Sequence, residues 1–195
     1  MNCGTTEQAA ICSIFKQLAP PNGLIAKRTM QSNAPNSLVR NLAYAALAIG
    51  AVVLTSILGQ IATYPNLTPW YAGLAKPPFN PPNWVFAPVW TTLYALMAFA
   101  FWRVLRAQEP TEERRWAIGA FIGQLVLNAA WSWMFFGAHN PALGLMNIIP
   151  QFFVVIATIV AFWQVDRIAA FCMVPLAAWV AFAATLNASI WWLNS

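Results

Sequence analysis

Residues 70–94 read WYAGLAKPPFNPPNWVFAPVWTTLY. Trp70, Trp84 and Trp90 punctuate the stretch. Pro77, Pro78, Pro81 and Pro82 stiffen its first half, and the stretch holds one lysine, Lys76, and two tyrosines, Tyr71 and Tyr94. Apolar segments stand on both sides. A rigid, aromatic, proline-rich loop that feeds a long apolar helix reads as a structured cap over a pocket at a membrane surface.

Composition sets the class. Of 195 residues, 60% are hydrophobic and 8% are charged, with mean hydropathy +0.59. A soluble domain carries about 25% charged residues. A chain this apolar cannot cover itself with polar surface, so it reads as an all-α integral membrane protein.

Five segments, residues 38–62, 84–105, 116–137, 142–164 and 168–193, each have about the ~20 apolar residues needed to cross ~30 Å of hydrocarbon. The expected architecture is a five-helix transmembrane bundle over residues 38–195, with the loop after helix 1 capping a pocket. Residues 1–37 do not contain a span: the run from Ile11 to Leu18 is short and holds Lys16. They read as a disordered or processed extension, either a transit peptide or the product of an early start with Met30 as the true one.

The net charge of +5 serves topology. Lys16, Lys27, Arg28, Arg40, Arg103, Arg106, Arg114, Arg115 and Arg167 all fall on one side of the predicted spans, and Lys76 alone falls on the other. The excess of cations on cytoplasmic loops puts the N-terminus inside and the residue 70–84 loop, His139 and the C-terminus outside. No basic stripe with interleaved aromatics points to nucleic acid. Cys3, Cys12 and Cys172 have no metal-ligand spacing and read as free thiols. No metal or nucleotide motif is present, and no ionisable residue lies mid-span, which argues against a proton-coupled pump.

In helix 3, Gln124, Asn128 and Ser132 recur every fourth residue and so share one face. Lipid cannot satisfy amides. The stripe is either interhelical glue or a ligand-facing surface, and the spacing leaves both open. Trp70, Trp84, Trp116, Trp163, Trp191 and Trp192 lie near span ends, as in an interfacial aromatic belt. Trp90 and Trp179 lie within spans. They could clamp a flat conjugated ligand, although on the residues alone core packing is the stronger reading. Gly119 and Gly123 form a small-xxx-small pair of the kind that lets two helices approach closely, within one chain or between two copies. Pro88, Pro150 and Pro175 within spans predict kinks.

Taken together, Trp70-Tyr71, Leu74, Lys76-Pro77, Pro81-Pro82, Trp84, Trp90 and Leu93-Tyr94 resemble the translocator protein family, also called tryptophan-rich sensory proteins or peripheral benzodiazepine receptor-like proteins. Helix 3 adds Gln124, Leu127-Asn128, Trp131-Ser132 and Phe135-Phe136-Gly137, and helix 5 adds Pro175, Trp179, Ala183 and Leu186-Asn187. The resemblance covers roughly residues 40–194.

It implies a homodimer, for which the spacing of Gly119 and Gly123 offers the contact. It implies a pocket lined by Tyr71, Trp90, Asn128, Trp131, Trp179 and Ala183, under a lid of Lys76, Phe79, Pro81 and Trp84. It implies porphyrin or haem as ligand and no obligatory cofactor, while the residues themselves offer no metal-ligand set and no catalytic residue of the ordinary acid–base kind. The implied function is a tetrapyrrole-binding sensor or transporter. The alternatives are light- and oxygen-dependent porphyrin degradation and a small-molecule or lipid permease. The chain departs from the family pattern in three places. The sterol motif of animal members is absent around residues 186–192, Pro175 is followed by Leu176-Ala177 where a Pro-Tyr-Leu is usual, and Pro78-Phe79 stands where some bacterial members carry Trp-Trp.

Overall fold

The structure is a computed structural model that describes residues 34–107 and 111–195, with side chains from Ser37 onward. The body is the unit Leu42–Ser195; of the preceding unit only the start of the first helix is described. The expectations for residues 1–33, with Cys3 and Cys12, lie outside the described residues.

All regular structure among the described residues is helical. Helix α1 is Ala34–Thr63, α2 Asn83–Arg106, α3 Glu112–Ser132, α4 Pro141–Val165 and α5 Arg167–Leu193. All five are long and apolar enough to cross a membrane. The bounds fall within four residues of the segments read from hydropathy, once the wide last turn Trp133–Gly137 is counted with α3.

The one architectural correction concerns the end of α1. The sequence reading ended this span near residue 62 and opened a loop by Trp70. Instead a 3-10 turn, Tyr64–Asn66, and a wide turn, Leu67–Tyr71, carry the helical path on. Pro65 is tolerated because it sits in the first turn of its segment, where its missing N–H has no partner to lose. The path bends at Thr68, whose φ of −134° and ψ of 132° are extended, because Pro69 bars it from the helical region.

The short connections are built from caps. Thr111 accepts from the Arg114 N–H at 3.2 Å, and Glu112 and Glu113 complement the positive end of α3. Asn140 accepts from the Leu143 N–H at 3.1 Å ahead of Pro141. Asp166 alone joins α4 to α5 and accepts from the Ala169 N–H at 3.0 Å. Tight turns force α3, α4 and α5 to lie antiparallel, and these three pack most closely, with α2 against α5.

Packing follows side-chain size. A Cβ built on Gly144 of α4 would stand 2.9 Å from Phe135 Cδ2 and 2.8 Å from Asn187 Oδ1, so glycine is what allows this approach. At the opposite end Phe101, Phe121 and Phe162 stack with centroids 4.3 and 5.7 Å apart and knit α2, α3 and α4. Arg103, Arg106, Arg114, Arg115 and Arg167 gather at that same end, and Arg103 holds Asp166 through a forked pair of 2.7–3.1 Å bonds. Helix α1 touches the rest sparsely, chiefly where Gly59 meets Ser132 and where the Trp133 indole N–H reaches Leu58 O at 3.1 Å. Large apolar side chains such as Leu47, Leu54, Phe153, Val160 and Phe171 face outward with nothing over them, which is the surface lipid requires. The chains of α2, α4 and α5 run on through Pro88, Pro150 and Pro175.

Candidate functional site

Sparse packing of α1 leaves a cavity of about 480 Å³ in the half of the bundle away from the arginines. Its walls come from α1, α2, α3 and α5, with Ile148 and Gln151 of α4 at the back. It opens between α1 and α2, where Gln60, Tyr64, Asn83, Ala87 and Thr91 line it and are themselves exposed. Volumes of ~300–1,000 Å³ suit drug-sized ligands.

Tyr71, Trp90, Asn128, Trp131, Trp179 and Ala183 all line this space. Trp90 leans on Tyr94 with centroids 5.2 Å apart. Trp179 is held edge-on by Phe86 at 5.8 Å and tilted against Phe182 at 5.5 Å. Trp131 stacks on Phe135 at 5.1 Å and 21°. Its indole N–H donates to Asn187 Oδ1 at 3.0 Å, while Asn187 Nδ2 donates to Pro141 O at 2.7 Å. Asn187, 1% exposed, therefore ties α3, α4 and α5 together behind the cavity wall.

The four expected lid residues do not line the cavity. Lys76 turns inward on its own chain: Nζ donates to the carbonyls of Tyr71, Leu74 and Ala72 at 2.6, 3.0 and 3.3 Å and lies 4.6 Å from the Tyr71 ring centroid. Its charge closes the helical end, joining the Leu74 N–H, 3.3 Å from Tyr71 O, as a donor to the last carbonyls. Phe79 packs on Phe182 at 6.4 Å, Pro81 is half-buried, and Trp84 stands in the open. The loop is pinned from elsewhere. Asn194 accepts from the Ala75 N–H and donates to Ala75 O, both at 3.0 Å, and the Tyr71 hydroxyl donates to Asn80 Oδ1 at 3.4 Å.

The polar stripe of α3 divides between the two readings. Asn128 lines the cavity and accepts from the Tyr94 hydroxyl at 3.4 Å, and Ser132 lines it beside Gly59. Gln124 is fully buried away from it, with neither amide atom paired. Of the glycine pair, Gly119 faces open space, whereas Gly123 meets Val154 of the chain's own α4. His139 stacks on Trp70 at 4.7 Å, with Nε2 2.6 Å from Asn66 Oδ1, so the outer turn of α1 is tied to the α3–α4 connection. Trp84, Trp116 and Trp192 are strongly exposed near helix ends, as belt residues are.

Gln151 is a buried cavity amide that the sequence reading did not single out, and Asn187 was quoted only as part of the resemblance, without a role. The signal existed: Asn147 and Gln151 repeat on α4 the four-residue amide spacing noted on α3. No charged side chain lines the cavity, and no cluster of His, Cys, Asp or Glu among the described residues could hold a metal.

A chargeless aromatic chamber inside five membrane-crossing helices defines a class: a multi-pass membrane protein built around an intramembrane pocket. The TspO/MBR family profile matches residues 47–193, and the chain belongs to that family. It is 39% identical over 150 residues to the translocator protein of Sus scrofa, covering 74% of this chain and 88% of that one. It is 37% identical over 149 residues to the tryptophan-rich protein TspO of Chlorobaculum tepidum, with 76% and 94% covered. Protein CrtK of Rhodobacter capsulatus is 38% identical over 125 residues, with 64% and 78% covered.

Proposed function

We propose that the protein is a membrane receptor that takes up flat hydrophobic ligands, tetrapyrroles such as protoporphyrin IX foremost, in the cavity between α1, α2, α3 and α5. The observation that carries this reading is the convergence of Trp90, Trp131 and Trp179 from three helices on one chargeless space. Indole faces give a conjugated ring stacking partners and a large apolar area. The neighbours of each indole fix its plane before a ligand arrives, so little ordering remains to be done on binding. No His, Cys or Met lines the cavity, so the ring, and not a metal–ligand bond, would carry the affinity. No carboxylate or imidazole stands in it to run hydrolysis or group transfer. The ring's carboxylates would point out through the α1–α2 opening, where water can solvate them. By charge bias the arginine end faces the cytoplasm, and the cavity lies nearer the other side.

The test is titration of the purified protein with protoporphyrin IX in the dark, following Trp fluorescence, for the wild type and a Trp90→Phe/Trp179→Phe variant. The reading expects saturable quenching that weakens about tenfold in the variant, since each aromatic contact contributes roughly 0.5–1.5 kcal/mol beyond area. Equal affinity for both proteins, or no saturation, would contradict it. Repeating the titration under light separates a receptor, whose porphyrin spectrum is conserved, from a photodegrading enzyme, which would generate new absorbance bands.

A further inference from the structure

The cavity holds a free amide. Of its buried amide side chains, Asn187 is spent on Trp131 and Pro141, and Asn128 accepts from Tyr94. Gln151 of α4 is 3% exposed, lines the cavity, and makes no side-chain hydrogen bond among the described residues. Both its N–H₂ and its carbonyl are available to whatever fills the space.

Its neighbours make the position more telling. Gly123 of α3 lies against Val154 of α4, a Cβ built there standing 3.8 Å from Val154 Cγ1. The two helices are antiparallel. With that pair taken as level and a rise of about 1.5 Å per residue, Gln124 stands ~1.5 Å, Gln151 ~4.5 Å, Asn128 ~7.5 Å and Asn147 ~10.5 Å toward the Gly137 end. By axial height alone, the four amides fall alternately on the two helices, like rungs at steps of about 3 Å. All four are buried; both amide atoms of Gln124 and Oδ1 of Asn147 lack partners. Gln151 is the rung that opens on the cavity with all its hydrogen-bonding capacity unused.

We propose that Gln151 is a specificity-determining residue of this cavity, selecting flat apolar rings that carry a neutral hydrogen-bonding group: a ketone, lactam, amide or ring N–H. An unpaired amide in a low-dielectric site is costly, and a ligand that pairs it recovers that cost. A glutamine offers donor and acceptor together, so it serves a carbonyl or an N–H equally. It cannot neutralise a carboxylate, and no lining residue can, so ligand charge is directed away from this wall. The inference rests on the cavity being a ligand site and does not require the ligand to be a tetrapyrrole.

The probes are therefore fluorenone and fluorene, tricyclic rings of one shape that differ in a single carbonyl. Binding is followed by Trp fluorescence in detergent micelles for the wild type, Gln151→Met and Gln151→Leu, each checked for an unchanged melting curve. The expected result is a loss of about fivefold in fluorenone affinity in the variants, the worth of one neutral hydrogen bond, with fluorene affinity within twofold of wild type. A measurement that needs no variant accompanies it: the C=O stretch of fluorenone bound to the wild type should move to lower wavenumber than in hexane. Equal losses for both probes, no loss for either, an unshifted carbonyl, or no saturable fluorenone binding to the wild type would overturn the proposal. Saturable fluorenone binding with the expected selectivity, alongside a failed porphyrin titration, would remove the tetrapyrrole reading and leave Gln151 in its role.

Discussion

Replacing Asn187 by alanine should loosen the cavity wall and the bundle at once. The side chain is 1% exposed and makes two bonds, from the Trp131 indole N–H at 3.0 Å and to Pro141 O at 2.7 Å. Alanine leaves the Trp131 indole N–H without an acceptor, while Pro141 O loses its second donor and keeps its place in the helical ladder of α4. A buried unsatisfied group costs about 1–3 kcal/mol and a lost neutral bond about 0.5–1.5 kcal/mol, which gives an upper figure of ~4.5 kcal/mol for the two. Interhelical hydrogen bonds in membranes average only about 0.6 kcal/mol, because the unfolded chain also finds partners there, which sets a lower figure near 1.2 kcal/mol. Trp131 lines the cavity and can regain water, and Pro141 O keeps its partner within α4. The expected loss is therefore intermediate, about 2–3 kcal/mol, read from denaturant titration in micelles by near-UV circular dichroism. In a Trp131→Phe background the same substitution should cost about 1 kcal/mol less, because one of the two bonds is already gone. Ligand affinity should fall with stability, since Trp131 loses the contact that orients it. A loss under about 0.5 kcal/mol, or the same loss in both backgrounds, would refute the reasoning.

Three further outcomes are expected. Gly144→Ala drives a methyl into Phe135 and Asn187, at 2.9 and 2.8 Å, and should cost about 1–3 kcal/mol in the same titration. Asn194→Ala removes both bonds to Ala75 and should raise amide hydrogen exchange across residues 74–80 several-fold while leaving α3–α5 unchanged, because the contact is exposed and worth about 1 kcal/mol or less. Asp166 titrates under two opposed influences. Burial pushes its carboxyl up, but the Arg103 fork and the Ala169 and Ile168 N–H groups outweigh burial and hold it below the ordinary aspartate range. Its contribution is thus complete above the unfolded value of about 3.9 and lost as pH falls through the lower folded value. Melting temperature should drop below about pH 4 in the wild type, and Asp166→Asn should lack that component.

The five spans were legible because hydropathy and length decide membrane helices with little help from tertiary context. Tyr71, Trp90, Trp131 and Trp179 could be named but not joined from the residues alone, since an in-span aromatic reads as core until its neighbours are known. Gln151 was harder. It lies one residue after Pro150, in a span whose proline predicts a kink, and an amide four residues from Asn147 marks a polar face without saying whether that face meets a helix or a cavity. The continuation of α1 was hidden by Pro65 and Pro69, both of which read as breakers, although one occupies a first turn and the other only bends the path at Thr68. The inward turn of Lys76 was not legible either. Its three carbonyl partners depend on how the chain turns after Tyr71, which no spacing in the sequence specifies.

The most direct test of the central claim is to fill the cavity. Ala183 lines it one turn from Trp179 and one turn from Asn187. Ala183→Trp would place an indole where a ligand ring is proposed to lie, without touching the loop or the arginine end. The account predicts a folded protein with wild-type melting behaviour and no saturable quenching by protoporphyrin IX. Wild-type affinity in this variant would mean that the ligand sits elsewhere.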